Sequence, residues 1–275
     1  MLKYPFIIPS FLVLFLIACN SNVSTETDNH LTKENASTPI INYALVNTYP
    51  HDTTSFTEGL LIYKGQLYES TGSPENMPLT KSLFGTFDII SGKINTKVML
   101  DRNKYFGEGI TFLNEKVYQL TYQNKIGFIY DAKTFKKLGE FHIPGKEGWG
   151  MTTDSTYLIM SDGTNLLYYV DPIDFKTIKT ILVENKKGPG MKINELEYIN
   201  NFIYANVYET NSIIKIDPGS GKIVGLLDLV SLANEAKARY PGSMEMNGIA
   251  YDPVSRMVYI SGKMWPTLYR IQFAH

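Results

Sequence analysis

The stretch Phe106-Gly107-Glu108-Gly109-Ile110-Thr111 recurs in altered form along the chain, and that recurrence decides the fold. Phe56-Thr57-Glu58-Gly59-Leu60 precedes it. Gly148-Trp149-Gly150-Met151-Thr152, Asn194-Glu195-Leu196-Glu197-Tyr198 and Asn247-Gly248-Ile249-Ala250-Tyr251 follow. Aligned on Gly59, Gly109, Gly150, Glu195 and Gly248, the copies stand 50, 41, 45 and 53 residues apart. A period of this length marks a propeller or a solenoid. Behind each copy come a polar turn and a β-rich run, such as Lys116-Val117-Tyr118-Gln119-Leu120 or Phe202-Ile203-Tyr204-Ala205. A third strand follows and ends in aspartate at Asp88, Asp131, Asp171 and Asp217. A fourth lies at 96–100, 137–142, 177–183 and 223–227. Four strands per repeat make one blade, so the chain is predicted to be all-β, a five-bladed β-propeller with four antiparallel strands per blade.

The fifth repeat has no fourth strand of its own before His275. Tyr43-Ala44-Leu45-Val46-Asn47-Thr48-Tyr49 is expected to supply it, closing the ring and removing an exposed sheet edge. A chain of 275 residues, 44% hydrophobic with 19 Tyr and 14 Phe, suits a strand-rich body of this size. One helix is expected, at 228–240, where Leu229, Leu232, Ala233 and Ala236 share a face. Residues 186–192 read as a loop beside the mouth. A formal net charge of -1 without a basic run argues against nucleic acid as a partner.

Residues 1–18 read as a lipoprotein signal peptide: Lys3 supplies positive charge, and Phe6 to Ile17 is apolar but short for a membrane span. The segment ends in Leu16-Ile17-Ala18-Cys19, which resembles the lipobox of bacterial lipoproteins and makes Cys19 the expected lipidation site. Cys19 is the only cysteine, so neither an intrachain disulfide nor a catalytic thiol in the body is available. Residues 19–39 are too polar to bury a core and read as a disordered tether. The catalytic propeller is expected over 40–275. The chain is therefore expected as a monomer in a bacterial cell envelope, touching membrane only through its lipid anchor and facing the periplasm or the exterior.

In a propeller the innermost strands line the central axis, so equivalent motif positions face one another. Here these are Glu58, Glu108, Trp149, Asn194 and Asn247: two carboxylates, an indole and two amides. Such a set reads either as a site or as a channel of hydrated polar groups.

The motifs together resemble a known family. Phe56-Thr57-Glu58-Gly59-Leu60, Glu69-Ser70-Thr71-Gly72, Phe106-Gly107-Glu108-Gly109-Ile110-Thr111, Gly148-Trp149-Gly150-Met151-Thr152, Ser161-Asp162-Gly163-Thr164, Asn194-Glu195-Leu196-Glu197-Tyr198, Asn206-Val207-Tyr208, Asn247-Gly248-Ile249-Ala250-Tyr251 and Gly262-Lys263-Met264-Trp265-Pro266 are similar, in order and spacing, to those of plant-type glutaminyl-peptide cyclotransferases. The resemblance spans Tyr43 to the C-terminus. It implies a five-bladed propeller that converts N-terminal glutamine of peptides or proteins to pyroglutamate with release of ammonia and needs no cofactor or metal. The unrelated animal-type enzyme holds zinc, but His30, His51, His142 and His275 make no zinc spacing here.

Carried over by motif, the resemblance implies Glu108 as proton relay, Asn194 and Lys263 as donors to the developing oxyanion, and Phe56, Glu58, Phe106, Tyr122, Trp149 and Tyr208 as substrate-binding residues. Tyr122 and Tyr208 stand where the family often has Trp, which implies a more polar pocket. Glu58 is read either as a group supporting the site or as part of the amine site, and Asn247 as structural. Two readings of other classes are a non-catalytic peptide-binding propeller and a lactonase-like propeller enzyme with a channel Ca²⁺ held by Glu58, Asn194 and Asn247.

Overall fold

The computed structural model describes residues 38–184 and 190–275. Cys19, the apolar leader, all but the last two residues of the tether, position 185 and positions 186–189 of the mouth loop lie outside the described residues.

The described strands form five four-stranded antiparallel sheets. The first blade holds β2 (Phe56–Tyr63), β3 (Gln66–Gly72), β4 (Leu83–Asp88) and β5 (Lys93–Met99). The second holds β6 (Gly107–Leu113), β7 (Lys116–Thr121), β8 (Ile126–Asp131) and β9 (Lys137–His142). The third holds β10 (Met151–Thr153), β11 (Leu158–Ser161), β12 (Leu166–Val170) and β13 (Thr177–Leu182). The fourth holds β14 (Ile193–Ile199), β15 (Phe202–Val207), β16 (Ser212–Ile216) and β17 (Ile223–Asp228). The fifth is built from β18 (Met246–Asp252), β19 (Met257–Gly262), β20 (Thr267–Phe273) and, from the other end of the chain, β1 (Tyr43–Pro50). β1 runs antiparallel to β20 from Tyr43 opposite Phe273 to Pro50 opposite Thr267, so the ring closes as expected.

Each inner strand packs on the next, and β18 returns to β2. The repeated glycine follows from that crowding. A Cβ on Gly109 would lie 2.6 Å from the Met151 amide nitrogen, and one on Gly150 would lie 2.1 Å from the Asn194 carbonyl oxygen. Glu195 stands at the same place in the fourth blade and carries a side chain there. Its two carboxylate oxygens accept the Leu60 amide of the first blade at 3.3 Å and the Ile249 amide of the fifth at 2.9 Å.

The aspartates ending the third strands make turns of one kind. Asp88, Asp131, Asp171 and Asp217 each accept a backbone amide two residues on, from Ile90, Lys133, Ile173 and Gly219. A short side chain that mimics a backbone acceptor suits a tight turn, which explains its recurrence. Helix α1 (Val230–Arg239) lies between the fourth and fifth blades. It buries Leu232 and Ala236, with Leu229 just before it, in a cluster that includes Trp265 and Tyr269. That cluster backs the turn after β19, which carries Lys263.

Candidate active site

Four of the five inner strands share one irregularity. Pairing with the neighbouring strand slips between Thr57 and Gly59, between Gly107 and Ile110, between Ile193 and Leu196, and between Met246 and Ile249. Such slips are β-bulges, which re-aim side chains out of strict alternation. Glu58, Glu108, Asn194 and Asn247 each lie inside one. The polar residues of the motif thus stand at distorted positions near the strand starts, where the next blade crowds the residue that follows them.

These starts open onto a cleft of about 500 Å³. The nine residues Phe56, Glu58, Phe106, Glu108, Tyr122, Trp149, Asn194, Tyr208 and Lys263 all line it. Asn247 does not; it lies beneath Glu58 and holds it. Its Nδ2 donates to Glu58 Oε2 at 3.0 Å and to the Thr57 carbonyl at 3.1 Å. Lys263 Nζ donates to the other Glu58 oxygen at 2.6 Å. Both partners of this ion pair are buried, Glu58 at 1% and Lys263 at 6% exposed, so Lys263 is no solvated strand tip.

Glu108 is buried beside Glu58. Burial pushes the Glu58 carboxyl up to about 7, against the opposing pull of Lys263. Burial, then the charge of Glu58, hold Glu108 well above the carboxylate range. Burial acts to lower Lys263, but Glu58 and Glu108 outweigh it and keep the ammonium charged. With two donors fixed on Glu58, that carboxyl gives up its proton first and Glu108 keeps its own. Neighbouring carboxyls that share a site divide their protons in this way.

An aromatic wall surrounds these charges. Phe56 meets Phe106 edge-on at 6.0 Å, Phe106 lies 5.9 Å from Tyr122, Tyr122 lies 6.5 Å from Trp149, and Trp149 meets Tyr208 edge-on at 5.3 Å. Lys263 Nζ lies 4.5 Å from the Phe56 ring centre and 5.6 Å from that of Tyr208. The Trp149 indole covers Gly163, where a Cβ would come within 2.5 Å of it. Its N–H donates to Glu147 Oε2 at 3.0 Å. Glu147 also lines the cleft and was missed in the sequence, although it stands two residues before Trp149, immediately ahead of that motif. Asp162 is another missed lining residue, but its oxygens are taken by the Lys146 amide, Thr164 and the Tyr168 hydroxyl. Lys192 and Glu209 pair at 2.7 Å at the cleft.

Asn194 is 2% exposed, its Oδ1 has no partner, and its Nδ2 donates to nothing among the described residues. The cleft therefore presents a carboxyl held well above its ordinary range, an ammonium and an uncommitted amide beside an aromatic wall. This set can hold an amide substrate, stabilise an oxyanion and exchange a proton.

Comparison with known proteins finds relatives over most of the chain. The sequence model of the family described as "Glutamine cyclotransferase" matches residues 12–273. A curated "Glutaminyl-peptide cyclotransferase" of Arabidopsis thaliana is 38% identical over 231 residues, covering 83% of this chain and 70% of that protein. The crystal structure of Myxococcus xanthus glutaminyl cyclase superposes with a TM-score of 0.75 at 29% identity, covering 86% of this chain and 98% of that one.

Proposed function

The chain belongs to the glutamine cyclotransferase family, and from that premise we propose that it converts N-terminal glutamine of peptides or proteins to pyroglutamate, with Glu108 as the proton relay and without a metal. The observation that carries this reading is the placement of Glu108, buried in the cleft beside a Glu58 whose oxygens are held by Lys263 and Asn247.

The neutral α-amine of the substrate attacks its own γ-carbonyl carbon, forming the ring C–N bond. Charge moves onto the carbonyl oxygen, where Lys263 Nζ and Asn194 Nδ2 can donate; donors fixed in advance in a dry site stabilise such an oxyanion. Glu108 gives its proton to the γ-amide nitrogen, the old C–N bond breaks and ammonia leaves. The Glu108 carboxylate then takes the proton from the ring nitrogen, which restores the starting state. The aromatic wall holds the glutamine side chain folded towards its amine, which replaces an entropic cost of reaction with one of binding.

The test is ammonia release from a Gln-initiated dipeptide. Glu108→Gln keeps shape but cannot relay, so turnover should fall on the order of 10²-fold or more with the protein still folded. Near-parental turnover would end the assignment. The lactonase reading is disfavoured by the donors already on Glu58, since an ammonium at 2.6 Å stands where a cation ligand would have to bind. Chelation by EDTA should leave the rate unchanged.

The chain is proposed to act as a monomer anchored in the cell envelope through Cys19, on the strength of the Leu16-Ile17-Ala18-Cys19 motif. Cys19→Ser should shift the protein from the membrane to the soluble or uncleaved pool without loss of specific activity. Equal membrane partition of variant and parent would sink the anchor.

A further inference from the structure

Behind the Glu58–Lys263 pair lies a second buried charge pair that the reaction scheme does not use. His51 and Glu69 have fully buried side chains and meet at 3.0 Å between Nε2 and Oε1. The other ring nitrogen, Nδ1, faces the Trp265 carbonyl oxygen at 2.7 Å. A carbonyl oxygen only accepts, so Nδ1 carries a proton. Glu69 Oε1 already accepts the Thr57 hydroxyl at 2.8 Å and meets Nε2 as an acceptor too. Read with Nε2 as the donor, the two contacts make the side chain an imidazolium. The charged groups facing it are Glu69 from β3 and Asp52 from its own segment; the turn after β19 brings only Lys263, which is turned to Glu58. Burial works to lower the proton affinity of His51, but these carboxylates and the Trp265 carbonyl hold it above the ordinary value.

The pair grips the two backbone segments that carry Glu58 and Lys263. Thr57 adjoins Glu58, and its hydroxyl lies 3.3 Å from the Gly262 carbonyl as well as against Glu69. Trp265 lies two residues after Lys263, in a turn where Met264 adopts a φ of 60°. The same turn is tied back by His51 N to the Pro266 carbonyl at 3.1 Å and by Met264 N to the Ser55 carbonyl at 2.8 Å. Lys263 and Glu58 come from the fifth and first blades, which are joined covalently only through the other three blades and through the 51–55 segment. Their separation is thus set by this seam.

We propose that His51, held as an imidazolium by Glu69 and linked through Thr57, is a positioning residue that fixes the Glu58–Lys263 contact and thereby the charge beside Glu108. The proposal rests on the cyclotransferase reading only for its kinetic consequence, and its structural consequence can be read without substrate.

The test uses the whole chain with Thr57→Val, which removes only the linking hydroxyl, Glu69→Gln, and Thr57→Ser as the conservative variant. Carboxyl ¹³C titration without substrate should show the Glu58 midpoint moving upward in Thr57→Val and Glu69→Gln, because Lys263 holds it less well. Turnover of a Gln-initiated dipeptide should fall about tenfold at little change in KM, as expected when reacting groups are slightly misplaced. Thr57→Ser should restore both. A lower Tm with parental Glu58 titration and turnover would overturn the proposal and leave the pair a stability feature. If Glu69→Gln does not fold, Thr57→Val decides alone. If the parent itself releases no ammonia, the cyclotransferase reading fails while the titration still decides the positioning role. A ¹⁵N spectrum of the parent showing a neutral His51 ring at pH 7 would overturn it outright.

Discussion

Two adjacent carboxyls in one cleft do different work because their neighbours differ. Glu58 receives Lys263 and Asn247, so its charge is compensated, while Glu108, buried beside it, is held well above the ordinary carboxylate range by burial and then by the charge of Glu58. This predicts the direction of a pH effect. Glu58→Gln removes a negative neighbour and leaves Lys263 uncompensated, and both changes make ionised Glu108 easier to form. The fall in turnover on the alkaline side, where Glu108 loses its proton, should therefore begin at lower pH than in the parent. An alkaline limb that moves up or stays in place would show that Glu58 does not set the state of Glu108. A rise in KM alone would assign Glu58 to uniform binding of the substrate amine.

At the scale of elements, the bulges of β2, β6, β14 and β18 turn a repeat into a site. Four positions that alternation would spread between faces are all brought near the cleft, and the variation among Glu, Glu, Asn and Asn supplies the chemistry. β1 has a different task. Its partner is the final strand, so it joins the two ends of the chain and completes the fifth sheet. Deleting residues 40–49 should lower the melting temperature of the whole described body in one transition, since an unpaired β20 would also loosen the blade that presents Lys263. A truncated protein that melts with the parent would show that the ring is closed by other contacts.

For the whole molecule, buried acids dominate the response of stability to pH. Burial raises Glu58 to about 7, and Glu108 and Glu195 well above the carboxylate range. Glu197 is raised to about 8, although its side chain retains partial solvent contact that moderates the effect. Each folded value lies above the unfolded value near 4.5, so the stability linked to these groups is full below that pH and is lost as pH rises through the folded values, about 7 for Glu58 and about 8 for Glu197. His51, also raised, adds to the loss on the same side. The turn residues Asp88, Asp131, Asp174 and Asp217 are lowered by turn hydrogen bonds or, at Asp174, by Lys176, and act only at acid pH below their unfolded values. Calorimetry between pH 5 and 9 should therefore show a melting temperature that falls with rising pH. A rise across that range would contradict the protonated state assigned to the buried acids.

Sequence alone determined the blade count, the strand order and the borrowed closing strand. These rest on local periodicity: glycines where inner strands crowd, alternating runs, and aspartates that turn the third strand. Of the cleft residues, Glu58, Glu108, Trp149 and Asn194 were legible because a repeat places its equivalents around one axis, while Phe56, Phe106, Tyr122, Tyr208 and Lys263 came from the family resemblance. The tertiary structure decided what those residues do to one another. That Asn247 supports Glu58, that Lys263 is buried against it and that His51 pairs with Glu69 depend on contacts between separate strands and turns of the chain. Glu58 and Lys263 are almost the whole propeller apart in sequence and 2.6 Å apart in space. A repeat predicts which blades meet, but the charge state of a buried carboxyl depends on the few ångströms of separation and the solvent exclusion that only ring closure creates.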